Sequence, residues 1–209
     1  MKYLRISILL ATLCLAFAAT ARTATDFFMA MPQRVVPLFT DAQRQDMIDY
    51  FRFGSDRTTA NTFNGESRIS HESDRLLTVE VSENSRLQVA VFASKSDTIV
   101  ALIATVSLPV SDARIDFYDR NWQLKRRQPV KMPQFTDWIT REGEDHIVDI
   151  TLALEFIPVT IEYDPDAATL TFHNNMEGLL GAAEAERLRP WLLADIVYDV
   201  KGTKFSRRK

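Results

Sequence analysis

From Leu76 to Phe117 apolar residues fall on alternate positions, and the polar breaks between these runs are only a few residues long. Leu77, Val79 and Val81 alternate with Thr78 and Glu80, and Ser82-Glu83-Asn84-Ser85 forms a turn. Leu87, Val89 and Val91 make the next stripe, ended by Ser94-Lys95-Ser96-Asp97. A period of two puts successive side chains on opposite faces of a strand. Connections this short cannot hold a crossover, so the strands must run antiparallel. Thr98 to Ser107 is nearly all apolar, the pattern of a strand covered on both faces and therefore central in its sheet. Ile115 and Phe117 continue the pattern, and Asp119-Arg120-Asn121 turns the chain into Trp122.

The flanking segments add helices and a second set of strands. Asp26 to Phe39 is apolar but carries Pro32 and Pro37, so it reads as an irregular arm whose Phe27, Phe28, Met29 and Met31 pack onto the body. Thr40-Asp41-Ala42-Gln43 fits a capping box opening a helix over 41–52, which Gly54 stops. Met47, Ile48 and Phe51 lie on its apolar face, and Arg44, Gln45, Asp46 and Asp49 on its polar face. Gln128 to Gly143, with Pro129 and Pro133, is a break.

Beyond the break, Val148, Ile150, Leu152, Leu154 and Phe156 alternate with polar or small residues and predict a strand that Pro158 ends or bends. Val159, Ile161 and Tyr163 predict another, Asp164-Pro165-Asp166 a turn, and Leu170 and Phe172 the returning strand. Met176, Leu179, Leu180, Ala183 and Leu188 suggest a helix capped by Asn174 or Asn175 and ended or kinked by Pro190. Ile196, Tyr198 and Val200 suggest a last strand, and Lys201 to Lys209 a frayed, basic tail. The fold class is α+β: antiparallel β-meander sheet or sheets, with a short N-terminal helix and a C-terminal helix packed on them. Residues 22–209 read as a single α+β domain, with two similar halves, about 22–127 and 128–209, as a further option.

The first residues read as an address. Lys2 and Arg5 precede an apolar run from Ile6 to Ala18, and Ala19-Thr20-Ala21 has the form expected before signal peptidase cleavage. The run is short of the roughly 20 residues a membrane-spanning helix needs. Residues 1–21 are therefore expected to be a signal peptide, and the mature protein to be exported to the periplasm or cell envelope without a transmembrane helix. Cleavage would remove Lys2 and Arg5 and make the chain more acidic than its full-length net charge of −3. An acidic surface argues against a dedicated nucleic-acid partner. Cleavage would also remove Cys14, the single cysteine of the chain, which follows Leu13 where a lipobox needs a small residue. The mature protein would then have no disulfide, thiol nucleophile or cysteine-ligated metal.

The remaining residues were tested against known chemistries. His71, His146 and His173 show no metal-ligand spacing, so no metal site is expected. His173 reads as a solvated strand residue, and His146 as part of a charged loop entering a strand. Gly65-Glu66-Ser67-Arg68-Ile69 lacks the second glycine of a nucleophile elbow, and Lys201-Gly202-Thr203 reverses the K-T-G order. The six glycines are too dispersed for a phosphate loop, so no cofactor is expected. Carboxylate pairs remain as a hydrolase option: Asp112, Asp116 and Asp119, or Asp149 and Glu155.

Several residues together resemble an uncharacterised exported Bacteroidales family, domain of unknown function family 3256. They include Met31-Pro32, Pro37-Leu38, Arg44, Asp46-Met47-Ile48-Asp49-Tyr50, Asn61-Thr62-Phe63-Asn64-Gly65 and Ser67. Phe117-Tyr118-Asp119 with Trp122, Pro190-Trp191-Leu192 and Lys201-Gly202-Thr203-Lys204-Phe205 complete the set. The resemblance implies a cell-envelope location and brings no activity and no site residues. In such an organism Asp97-Thr98-Ile99 is similar to a three-residue O-glycosylation pattern, with Thr98 as the acceptor.

The leading expectation is an envelope binding or scaffold protein without catalysis, acting on an unknown envelope protein or glycan partner. Its alternative is a carboxylate-dependent hydrolase of envelope or dietary glycans. The candidate binding surface is Tyr118, Asp119 and Trp122, with Tyr50 and Asn64 nearby. Against it stands the simpler reading, in which Phe117 and Trp122 are core and Asp119 only makes the turn.

Overall fold

The protein is described by a computed structural model covering residues 21–208. The expected signal peptide, apart from its last residue, and Cys14 lie outside the described residues. Helices α1 (Ala24–Met29) and α2 (Asp41–Arg52) come first. The strands β1 (Thr59–Ala60), β2 (Glu66–Glu72), β3 (Leu76–Ser82), β4 (Ser85–Ala93), β5 (Thr98–Val106) and β6 (Asp112–Asp119) follow. Helix α3 (Ile147–Ala153), strands β7 (Val159–Asp164) and β8 (Thr169–Asn174), helix α4 (Ala182–Leu188) and strands β9 (Asp195–Lys201) and β10 (Lys204–Arg207) complete the order. The strands form two antiparallel sheets, a six-stranded meander in the order β1 to β6 and a four-stranded one in the order β10-β9-β8-β7.

The first sheet is the middle of three layers. On one side Leu77, Val79, Val89, Val100 and Leu102 pack with Phe27, Phe28, Met47 and Ile48 of the two N-terminal helices. On the other, Ala90, Phe92, Ala101, Ile103 and Phe117 pack with Ile161, Tyr163, Leu170 and Phe172 of the second sheet. β4 and β5 are thus covered on both faces, which is why Thr98–Val106 needs an almost continuous apolar run. The sequence-predicted helix 41–52 forms as expected, with the Thr40 hydroxyl accepting from the Gln43 N–H and Gln43 Oε1 accepting from the Thr40 N–H.

Five expectations change. The arm begins as a capped helix, α1, because Thr23 and Asp26 form a second capping box ahead of Pro32. Arg44 lies not on a polar face but fully buried, its two terminal nitrogens donating to the Met29, Met31 and Phe39 carbonyls. Strand β2 had no period-two signal because only Ile69 and Ser67 of its seven residues are buried. Residues 148–156 are not a strand: they form α3 and its exit, with Asp149 on the helix and Glu155 beyond it. Ile150 and Leu154, four residues apart and so on one helical face, are buried in the core, with Ala153 packed partly buried against it.

The fifth change is at the C-terminus. The expected helix over 176–188 is split into a 3-10 turn, Met176–Gly178, held by Asn174 Oδ1, and α4. The basic tail is not frayed: Lys204–Arg207 pairs with β9, and Gly202 at φ 62 makes the turn. Phe205 packs on Phe92 and Phe117, with centroids 4.9 Å and 5.6 Å away.

Candidate functional site

The second sheet covers only part of the first. Its edge strand β7 lies over β5 and β6, and beyond it the same face of β2, β3 and the Arg86 end of β4 is open. Along that open face Arg68, Glu80, Arg86 and Thr105 stand side by side in register on β2, β3, β4 and β5. Arg68 Nε donates to Glu80 Oε2 at 2.7 Å. Arg86, next in the row, makes no ion pair among the described residues. One row along, Thr78 and Gln88 are paired across β3 and β4, and Gln88 Nε2 donates to Thr78 Oγ1 at 3.3 Å.

Arg68, Glu80, Arg86 and Thr105 floor an open polar trough of about 840 Å³, walled by the Ser82–Ser85 turn, Ser107, Ser111 and Thr160. A smaller groove of about 360 Å³ shares Arg86 and Thr160 and continues along β7 past Gln88 and His173. Gln88 and Thr105 are only 7% and 4% exposed, yet Gln88 Oε1 and Thr105 Oγ1 have no hydrogen-bond partner among the described residues. A buried polar atom left unpaired costs about 1–3 kcal/mol, so such atoms call for an explanation. Sequence reasoning missed this site. Its only signal was polar residues at core-facing positions of otherwise apolar strands, Thr78 and Gln88 above all.

The residues singled out from the sequence fall in three places. Tyr118, Asp119 and Trp122 are together, with the Tyr118 and Trp122 rings 5.2 Å apart. Asp119 Oδ1 accepts the Asn121 and Gln123 N–H groups and so builds the turn. Trp122, at φ 59, is 3% exposed, and its Nε1 donates to the Phe27 carbonyl: it is core, leaving no surface ring to bind with. Tyr118 is half-buried, and burial, helped by Asp116, raises its phenol above the ordinary range. Tyr50 lines a separate groove beneath Arg57, and Asn64 is an exposed, positive-φ residue on the Asn61–Gly65 loop. Thr98 is half-buried at the first position of β5.

Of the candidate carboxylates beyond Asp119, three are engaged by other groups and one is exposed. Asp112 Oδ1 accepts the Val159 N–H, Asp116 pairs with Arg114 at 3.0 Å, and Asp149 lies 3.7 Å from His146. Glu155 is exposed beyond α3. His146 stacks on Trp191 at 3.9 Å, at the entry to a helix rather than a strand. His173 bridges Asp195, at 2.7 Å, and Glu162, at 3.3 Å, on the outer face of the second sheet.

A family of proteins of unknown function, DUF3256, matches residues 16–205. The chain belongs to this family. A domain of an uncharacterized protein from Porphyromonas gingivalis W83 has a similar fold, with a TM-score of 0.74 at 19% identity. The likeness covers 90% of this chain and 99% of that one. No curated protein matches. The DUF3256 fold is thus shared at low identity, while its chemistry has to be read from this chain's own surface. No helix among the described residues is long and apolar enough to cross a membrane.

Proposed function

We propose that the protein acts after export as a non-catalytic binding module of the cell envelope, with the polar trough as its binding face. The observation that carries the reading is an open polar trough with two buried oxygens that have no partner among the described residues, Thr105 Oγ1 beneath the trough and Gln88 Oε1 beneath the adjoining groove. A site that keeps unsatisfied acceptors sacrifices folding stability for recognition. Export rests on the Lys2 to Ala21 sequence. The hydrolase alternative needs two carboxylates aimed at one another across a cleft, whereas Asp112 and Asp119 bind backbone N–H groups and Asp116 binds Arg114.

The test uses a photo-reactive residue placed at Ser85, beside the trough, or at Gln45, on an exposed helix position, in cells of the native host. Adducts specific to Ser85, on a protein that fractionates with the envelope and starts at Arg22, are expected. Equal labelling from both positions, or a retained Met1, refutes the reading. The same purified material addresses Thr98: a glycan mass lost in Thr98→Ala marks it as an acceptor, and an unmodified parent mass removes it.

A further inference from the structure

The trough runs along an open sheet edge. β7 ends the second sheet, with β8 on one side and, among the described residues, no strand on the other. Which of its backbone groups face outward follows from its neighbours. The Asn174 N–H donates to Ala194, not to Val159, its partner across the ladder, so that pair exchanges no bonds. The Asn175 N–H donates to the Pro158 carbonyl, which fixes the alternation. Thr160, Glu162 and Asp164 therefore bond to β8, and Val159, Ile161 and Tyr163 turn their backbone groups to the free edge. Asp112 Oδ1 takes the Val159 N–H at 2.9 Å, which leaves the Ile161 and Tyr163 groups for an incoming partner.

The floor beside that edge is polar and incompletely satisfied. Gln88 Oε1 is a buried acceptor without a donor, and Arg86 is an exposed guanidinium without a carboxylate among the described residues. Natural sheets cover or blunt a free edge, because its unpaired groups recruit other strands. Here the edge borders an open groove in which Arg86 has no ion-pair partner among the described residues, while Glu80 is held by Arg68, and Glu66 and Glu83 line the far part of the trough. A glycan-binding surface would be expected to offer an aromatic platform, and the rings near this groove, such as Tyr163, are buried in the core.

We propose that an extended polypeptide segment adds to β7 in this groove as a fifth strand of the second sheet, with an acidic side chain set over Arg86. Main-chain bonds to Ile161 and Tyr163 would supply affinity, and the floor would supply selectivity. The inference rests on the trough being a binding face and names its ligand class.

The probe is an eight-residue peptide blocked at both ends, with aspartate and threonine alternating on one face and valine on the other. Binding to the protein lacking residues 1–21 is followed by amide NMR and hydrogen exchange. Expected are shifts and slowed exchange at the Ile161 and Tyr163 amides. Arg86→Gln, or replacing the peptide aspartates by lysine, should weaken binding about tenfold, the loss of one charge-assisted contact. N-methylating one alternate set of peptide amides should abolish binding while methylating the other set should not. The proposal is overturned if both methylated peptides bind like the parent, or if no peptide binds up to millimolar concentration. A Ser85-specific adduct that resists proteases would mean the trough takes a glycan, which overturns this inference and leaves the binding reading standing.

Discussion

Arg44 shows how a charged side chain can be a fixture of the core. It is 0% exposed, and its two terminal nitrogens donate to the Met29, Met31 and Phe39 carbonyls, tying the N-terminal arm to α2. Its guanidinium sits 5.7 Å over the Phe28 ring and 3.8 Å from Asp41. Burial lowers its pKa from the ordinary arginine value, and Asp41 opposes that. Arg44→Ala strands three buried carbonyls and should destabilise the protein by about 3 kcal/mol, read from the urea midpoint. Arg44→Lys should recover only part of this, because one ammonium cannot reproduce the fork. Glu72 makes a second tie, accepting from Arg52 at 2.5 Å and from Thr25 at 2.7 Å. The Arg52 hydrogen bond is the chief reason its carboxyl sits below the ordinary range. A depressed carboxyl stabilises the fold above its unfolded pKa and loses that as pH falls through the folded value. Glu72→Gln should therefore cost roughly 1 kcal/mol or less at pH 7, given solvent screening of a half-exposed pair, and nothing at low pH. Unfolding curves at pH 7 and pH 3 check the sign.

Helix α3 shows that an alternating pattern is not proof of a strand. Val148, Ile150, Leu152 and Leu154 fit a period of two, but in the structure Leu152 is 83% exposed and Ile150 0% exposed. At 100° per residue, Ile150 and Leu154 share a face, while Val148 and Leu152 share the opposite, exposed one. The outcome differs between the two geometries and can be measured. Ile150→Ala should cost about 3 kcal/mol, as for other buried large-to-small changes. Leu152→Lys should change stability by less than about 0.5 kcal/mol, as at an exposed helix position. In a strand both residues would face the same core and both changes would be costly. β2 fails in the opposite sense: its polar residues form a strand because Arg68 and Glu80 pair across the ladder and Ser67 Oγ donates to the Val81 carbonyl. Such partners lie outside the segment, so its own sequence cannot announce it.

The molecule is closed at its C-terminus by β10. Phe205 adds a ring to a cluster with Phe92, Phe117 and, through Phe92, Tyr163 at 4.6 Å. Arg208 pairs with Asp199 at 2.6 Å, and Arg207 Nη2 donates to the Asp137 carbonyl. Phe205→Ala should cost about 2 kcal/mol, less than a fully buried phenylalanine because the ring is half-buried. Deleting residues 204–209 should cost at least as much and lower the melting temperature by several degrees, measurable by calorimetry. An unchanged melting temperature would show that the tail is dispensable to the fold.

The sequence by itself determined the class of the fold. Its alternation and short turns required antiparallel strands, the apolar run at Thr98–Val106 required a doubly covered strand, and the Thr40 capping box set the start of α2. Those are local constraints, set by backbone geometry and by side-chain period over a few residues. Tertiary structure decided that the strands divide into two sheets, that Trp122 and Arg44 turn inward, and that residues 147–153 form a helix. It also decided the trough, because which face of β2–β4 stays open depends on where the second sheet lands. Burial of a polar atom without a partner is a property of the assembled layers. No run of residues along the chain encodes it.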